Sequence, residues 1–208
     1  MNPKRVGVLV SGRGSNLQAL LDACVGEFPA RVVRVISNIP GVYALERAAA
    51  AGVPTTVISH RGKERAAYDA ELRAVLEADG VDIVCLAGFM RVVGAGFLGG
   101  WPVLNVHPAL LPAFPGMHGV RQAIEYGVVQ AGATVHLVDA GVDTGPILAQ
   151  GSVAVKADDT EESLAARILP LEHKLLVQAL RQVAEGRVVV RGGRAVVELG
   201  VGERRWWG

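Results

Sequence analysis

The chain has 208 residues, 50% of them hydrophobic, enough to bury one substantial core. Its 21 Lys and Arg against 20 Asp and Glu leave a formal charge of +1, so no global field recruits a polyanion and nucleic acid is not an expected partner. Cys24 and Cys85 sit inside apolar runs without a CxxC or Cys/His cluster, which excludes a zinc site or disulfide framework and reads as two buried small hydrophobes.

The N-terminus, MNPKRVGVLVSG, carries only a short apolar run before polar, glycine-rich residues, unlike a secretory signal. Val6 to Val10 is a predicted buried strand; SGRGSN then turns into a helix on which Leu17, Leu20, Leu21 and Cys24 repeat at helical spacing. The pattern recurs with a strand at Val32 to Ile36, a helix at Ala44 to Ala51, a strand at Thr55 to Ile58, and a helix at Lys63 to Ala78 with Tyr68, Leu72, Val75 and Leu76 on one side. Val81 to Ala87 is another buried strand. Strands separated by helices of this length imply right-handed crossovers and a parallel sheet covered on both faces.

After Gly88 the texture changes to loops rich in Gly and Pro, and the glycines and Pro102 between Val92 and Leu104 argue against a spanning helix. Elements resume with a short strand at Val103 to Val106, a helix near Val120 to Tyr126, and strands at Ala133 to Val138 and Ile147 to Val155. A long helix at Glu161 to Ala184 has Leu164, Ile168, Leu171, Leu175 and Leu180 as its buried stripe; Arg187 to Val190 and Ala195 to Leu199 around Gly192-Gly193 form a hairpin. The expected fold is α/β and Rossmann-like: a mostly parallel twisted sheet with helices on both faces, then a long helix and hairpin. No linker divides it, so residues 1–208 are expected to form a single domain.

Three segments could carry chemistry. Ser11 to Asn16 joins a strand end to a helix start, where free N–H groups and the helix dipole favour an anion, though Ser15 or Asn16 could equally just cap the helix. GRGSNL lacks the third glycine of GxGxxG, and no Walker A loop occurs. In VLNVHPALLP, Asn105 and His107 flank Val106 at a strand end, so both point to the same side, where binding crevices of parallel sheets open. In DAGVDTGP, ordinary turn residues follow a strand, but Asp139 or Asp143 could reach His107, orient it and favour its imidazolium. An Asn, His and Asp set without a nucleophile elbow suits transfer between two bound substrates, with Asn donating to an oxyanion and His moving a proton.

SGRGSNLQALL, LAGFMRVV, VLNVHPALLPAFPGMHG, ATVHLVDAGVDTGPIL and LEHKLL, in this order, closely resemble the phosphoribosylglycinamide formyltransferases of de novo purine synthesis. The likeness runs from about Lys4 to Gln182. It implies transfer of the formyl group of 10-formyltetrahydrofolate, a co-substrate, to phosphoribosylglycinamide, with Asn105, His107 and Asp143 catalytic and no metal. Gly14, Ser15 and Asn16 are then expected to hold the substrate phosphate, Leu169, Pro170 and Leu171 to line that site, and Glu172 to bond the ribose hydroxyls. Arg65, Met90, Arg91, Val92, Val93, Asn105 and the loop Asp139, Ala140, Gly141, Val142 and Asp143 are expected to hold the folate. Read alone, Met90, Val92 and Val93 would be core.

The resemblance assigns phosphate binding to about residues 1–100 and folate binding to about 101–200. His118 is expected to position rather than react, and Arg13 either to contact phosphate or to face solvent. A tRNA-directed relative would add a C-terminal domain and a basic surface, and a formyltetrahydrofolate hydrolase an N-terminal regulatory domain; neither is expected. A nucleotide-binding module without catalysis would have no use for Asn105, His107 and Asp143 together. The expected protein is a cytoplasmic monomer or homodimer acting on small molecules, with no membrane partner. The tail Gly200 to Gly208 lies beyond the resemblance, its Trp206 and Trp207 expected to pack on the surface or on a second subunit.

Overall fold

A computed structural model describes residues 2–197; the end of the predicted last strand and the Trp206-Trp207 tail lie outside the described residues. Strand β1 (Lys4–Val10) lies inside a seven-stranded sheet. Its period-two alternation sends Val6, Val8 and Val10 into one hydrophobic cluster and Leu9 into another on the opposite face. Helix α1 (Ser15–Ala23), strand β2 (Ala30–Ser37), helix α2 (Tyr43–Ala50) and strand β3 (Thr55–Val57) follow. Then come helix α3 (Arg65–Ala78), strand β4 (Ile83–Leu86), a single turn α4 (Ala95–Leu98), strand β5 (Val103–His107) and helix α5 (Gly119–Tyr126). Strands β6 (Gln130–Leu137) and β7 (Ile147–Ala154), helix α6 (Glu161–Ala184) and the hairpin β8 (Val188–Arg191) and β9 (Arg194–Val197) complete the described chain.

The sheet order is β3-β2-β1-β4-β5-β6-β7. Strands β1 to β5 are parallel, whereas β6 runs antiparallel to β5 and β7 antiparallel to β6. Helices α1, α2, α5 and α6 bury their apolar faces in one cluster, and α3 and α4 in the other, so both faces are covered as the sequence predicts. Among the described residues no helix is long and apolar enough to cross a membrane.

Two local expectations change. The stretch after Gly88, read as loop, contains α4, which seats the fully buried Phe97 against α3. Leu171, expected in the buried stripe of α6, is only half-buried; it lies against Gly151 of β7, where an added Cβ would stand 2.7 Å from it. Helix α6 starts with a reciprocal cap, Ser163 N–H donating to Thr160 Oγ1 and Thr160 N–H to Ser163 Oγ, with Glu161 and Glu162 in its first turn favouring the dipole.

Candidate active site

Strand β5 ends where the sheet changes from parallel to antiparallel, and it presents Asn105 and His107 on one side, as the alternation predicts. The β6–β7 loop brings Asp143 to both. Asn105 Nδ2 donates to Asp143 Oδ1 at 3.3 Å, and His107 Nδ1 stands 3.4 Å from Asp143 Oδ2. Asp143 reaches this position with φ 54°, a left-handed conformation that is unusual away from glycine and tolerated best by Asp and Asn. At Gly145, two residues on, the chain passes so close to the Leu137 carbonyl that only glycine fits.

The loop after β5 returns to the same side chains. His107 Nε2 lies 2.8 Å from the Phe114 carbonyl, and Gly116 N–H donates to Asp143 Oδ2 at 2.8 Å. Thr134, fully buried on β6, holds the base of this loop by donating to the Ala109 carbonyl and accepting from Leu111 N–H. Gln150 Nε2 adds a bond to the Leu111 carbonyl at 2.7 Å. The catalytic candidates therefore rest on a polar frame supplied by the two antiparallel strands.

His136 is a fourth member that sequence reasoning missed. Its ring is 1% exposed, with Nε2 at 3.2 Å from Asn105 Nδ2 and 3.4 Å from Asp143 Oδ1. His136 Nδ1 lies 2.9 Å from the Leu137 carbonyl, which holds the ring with Nε2 turned toward Asn105 and Asp143. Its only signal was a histidine beside Thr134 in the otherwise apolar run ATVHLV, at the register of Asn105, its partner across β5 and β6. Burial pushes the Asp143 carboxyl up, but His136, the Gly116 N–H and the neighbouring His107 ring outweigh it and hold the group below the usual carboxylate range.

The anion loop lies at the C-terminal end of β1. Gly14, at φ 73°, occupies the N-cap of α1, so neither Ser15 nor Asn16 serves as that cap. With no acidic residue in the first turn, the positive end of α1 is uncompensated. An added Cβ at Gly14 would stand 2.6 Å from the Ala44 side chain, so the loop packs directly on α2. Asn16 is buried and its Nδ2 donates to Glu172 Oε2 at 2.8 Å, joining α1 to α6 across 156 positions. Asn16 Oδ1 is buried with no hydrogen-bond partner among the described residues. Desolvation raises the Glu172 carboxyl above its ordinary range, although the Asn16 bond opposes the shift. Arg13 turns to solvent, while Arg47 Nε donates to its carbonyl.

The Met90–Val93 segment follows β4 at the same end of the sheet. Met90 and Val92 are 69% and 49% exposed, so they are not core residues, whereas Val93 is buried. Arg65 does not enter the Asn105 cluster. It lies at the head of α3 on the rim of a cleft of about 420 Å³ with Asp69, Arg73 and Gly94, and its stem abuts Gly94 directly after Val93. Asp139 Oδ1 accepts from Thr144 Oγ1 and Gly141 N–H, so that carboxylate shapes the loop around Ala140 and Val142. His118 is exposed at the N-cap of α5 with φ 63°. Leu169 and Pro170 lie on α6 just before Glu172. Among the described residues no group of three His, Cys, Asp or Glu could hold a metal ion.

Residues 4–180 match the family model described as formyl transferase. The chain is 50% identical over 202 residues to phosphoribosylglycinamide formyltransferase of Mycobacterium tuberculosis (strain CDC 1551 / Oshkosh), covering 94% of this chain and 92% of that one. It is also 50% identical over 193 residues to the trifunctional purine biosynthetic protein adenosine-3 of Drosophila melanogaster, spanning only 14% of that relative's length. The crystal structure of glycinamide ribonucleotide transformylase 1 from Symbiobacterium toebii superimposes with a TM-score of 0.91 at 50% identity, covering 94% of each chain.

Proposed function

The chain belongs to the formyl transferase family, and from that membership we propose that it transfers the formyl group of 10-formyltetrahydrofolate to the amine of phosphoribosylglycinamide, giving formylglycinamide ribonucleotide and tetrahydrofolate in purine biosynthesis. The observation that carries this reading is the convergence of Asn105, His107 and Asp143 at one strand end. On the acceptor side, Gly14, Ser15 and Asn16 offer N–H groups and a helix dipole to the phosphate, Glu172 bonds the ribose hydroxyls, and Leu169 to Leu171 flank it. On the donor side, exposed apolar Met90 and Val92, with Arg65, Arg91, Val93 and the loop Asp139 to Asp143, receive the folate.

The glycinamide nitrogen attacks the formyl carbon, and Asn105 and protonated His107 donate to the oxyanion that forms. Collapse breaks the bond to the folate nitrogen, which gains a proton as the attacking amine loses one; Asp143 keeps His107 oriented for that exchange. No covalent bond to the enzyme is needed. The protein works on small molecules in the cytoplasm, as a monomer or homodimer, with residues 1–208 as one unit whose phosphate-binding half is about 1–100 and folate-binding half about 101–200.

An absorbance assay of tetrahydrofolate release tests the reaction. Product is expected only when both substrates are present; release without phosphoribosylglycinamide would identify a hydrolase instead. His107→Ala should lower turnover on the order of a hundredfold to a thousandfold with an unchanged circular dichroism spectrum, and wild-type turnover would remove His107 from the mechanism.

A further inference from the structure

The C-terminal ends of four parallel strands are joined by a polar relay that the catalytic scheme does not use. Taken in sheet order, β3 leads to His60, β2 to Asn38, β1 to Ser11 and β4 to Met90. Met90 N–H donates to Ser11 Oγ at 2.8 Å, Ser11 Oγ donates to Asn38 Oδ1 at 2.6 Å, and Asn38 Nδ2 lies 3.1 Å from His60 Nδ1. Each donor in this chain fixes the next: the Ser11 hydroxyl spends its proton on Asn38 Oδ1, which turns the Asn38 amide nitrogen toward His60. Ser11 N–H also donates to the Gly88 carbonyl at 3.1 Å, so one residue grips the 88–90 segment twice. Ser11 and Asn38 are 8% and 3% exposed, so their hydroxyl and amide are committed to this chain and not to a ligand.

We infer that Ser11 and Asn38 are positioning residues for the formyl donor, setting the height of the Met90–Val93 loop through the Met90 N–H. This rests on the proposed role of that loop in holding the folate. Ser11 opens the segment assigned to the substrate phosphate, yet its side chain faces the neighbouring loop. A polar side chain in the acceptor's loop therefore shapes the donor's site.

Steady-state kinetics with each substrate varied in turn provide the test. Ser11→Ala leaves Met90 N–H without its acceptor, and the donor KM should rise on the order of tenfold, with the acceptor KM and kcat near wild type. Ser11→Thr keeps the hydroxyl and should restore the donor KM. Asn38→Ala should act in the same direction, and the Ser11→Ala, Asn38→Ala double variant should be no worse than Ser11→Ala alone, because both act through one path. Equal rises in both KM values, additive effects, or an unchanged donor KM would overturn the assignment. Val92→Asp separates the two readings. If it raises the donor KM while Ser11→Ala does not, only the relay fails; if it leaves the donor KM unchanged, the folate assignment of the loop falls and the relay's role falls with it.

Discussion

Two carboxylates of the site are tuned in opposite directions, and each tuning has a consequence for stability. Asp143 has a native value below that of the unfolded chain, so its contribution is complete above the ordinary carboxylate value of about 4 and fades as pH falls through the depressed native value. Asp143→Asn should therefore lower the urea midpoint near neutral pH, and the gap to wild type should close in acid. A gap independent of pH would show that the carboxylate's charge is not what stabilises. Glu172 is raised by burial, so its ionised form costs stability once pH exceeds its unfolded value of about 4.3. Glu172→Gln, which can still accept from Asn16, should raise the thermal midpoint at pH 7 and not at pH 4, while raising the KM for phosphoribosylglycinamide. At this scale the sequence was legible where polar residues broke a pattern, as in Asn105 and His107. It was silent on His136, because a single histidine in an apolar strand is also how a core histidine looks, and on Ser11, whose partners Asn38 and Met90 are distant in sequence.

Elements rich in apolar periodicity were predicted to within a few residues, and α6 over its whole span, Glu161–Ala184. Periodicity could not reveal strand direction: β5 and β6 are separated by a helix, just as the parallel strands are, yet they pair antiparallel. The small α4 was hidden because its four residues, Ala95–Leu98, are too few to show a helical repeat and lie among glycines. The junction of β1 and α1 depends on a different quantity, space. Gly14→Ala would force an L residue into φ 73° and press a methyl against Ala44. Left-handed strain and overpacking together should cost about 2–4 kcal/mol, read as a lower urea midpoint. Ala44→Gly in the same chain should recover only part of this, since Ala44 Cα would still stand 2.8 Å from the new methyl.

For the molecule as a whole, the cluster on one sheet face takes in β2, β1, β4, β5, β6 and β7 and gathers α1, α2, α5 and α6, so the proposed phosphate-side and folate-side halves share one core. Helix α6 spans them: its Leu175 and Leu176 belong to that core and its Glu172 holds Asn16. Unfolding should therefore be a single transition. The two buried thiols give that cooperativity a clock. Cys85 is wholly enclosed in β4, its thiol pushed up by burial, and Cys24, at the end of α1, is raised to about 12. A thiol reagent, which needs an exposed thiolate, should find both silent in the native protein. Cys85 should be labelled at the rate of global opening, with the denaturant dependence of the circular dichroism transition, and Cys24 sooner by fraying of its helix end. Labelling of Cys85 at denaturant concentrations well below that transition would divide the halves. Without any introduced cysteine, the chain thus carries its own reporter of how often the shared core comes apart.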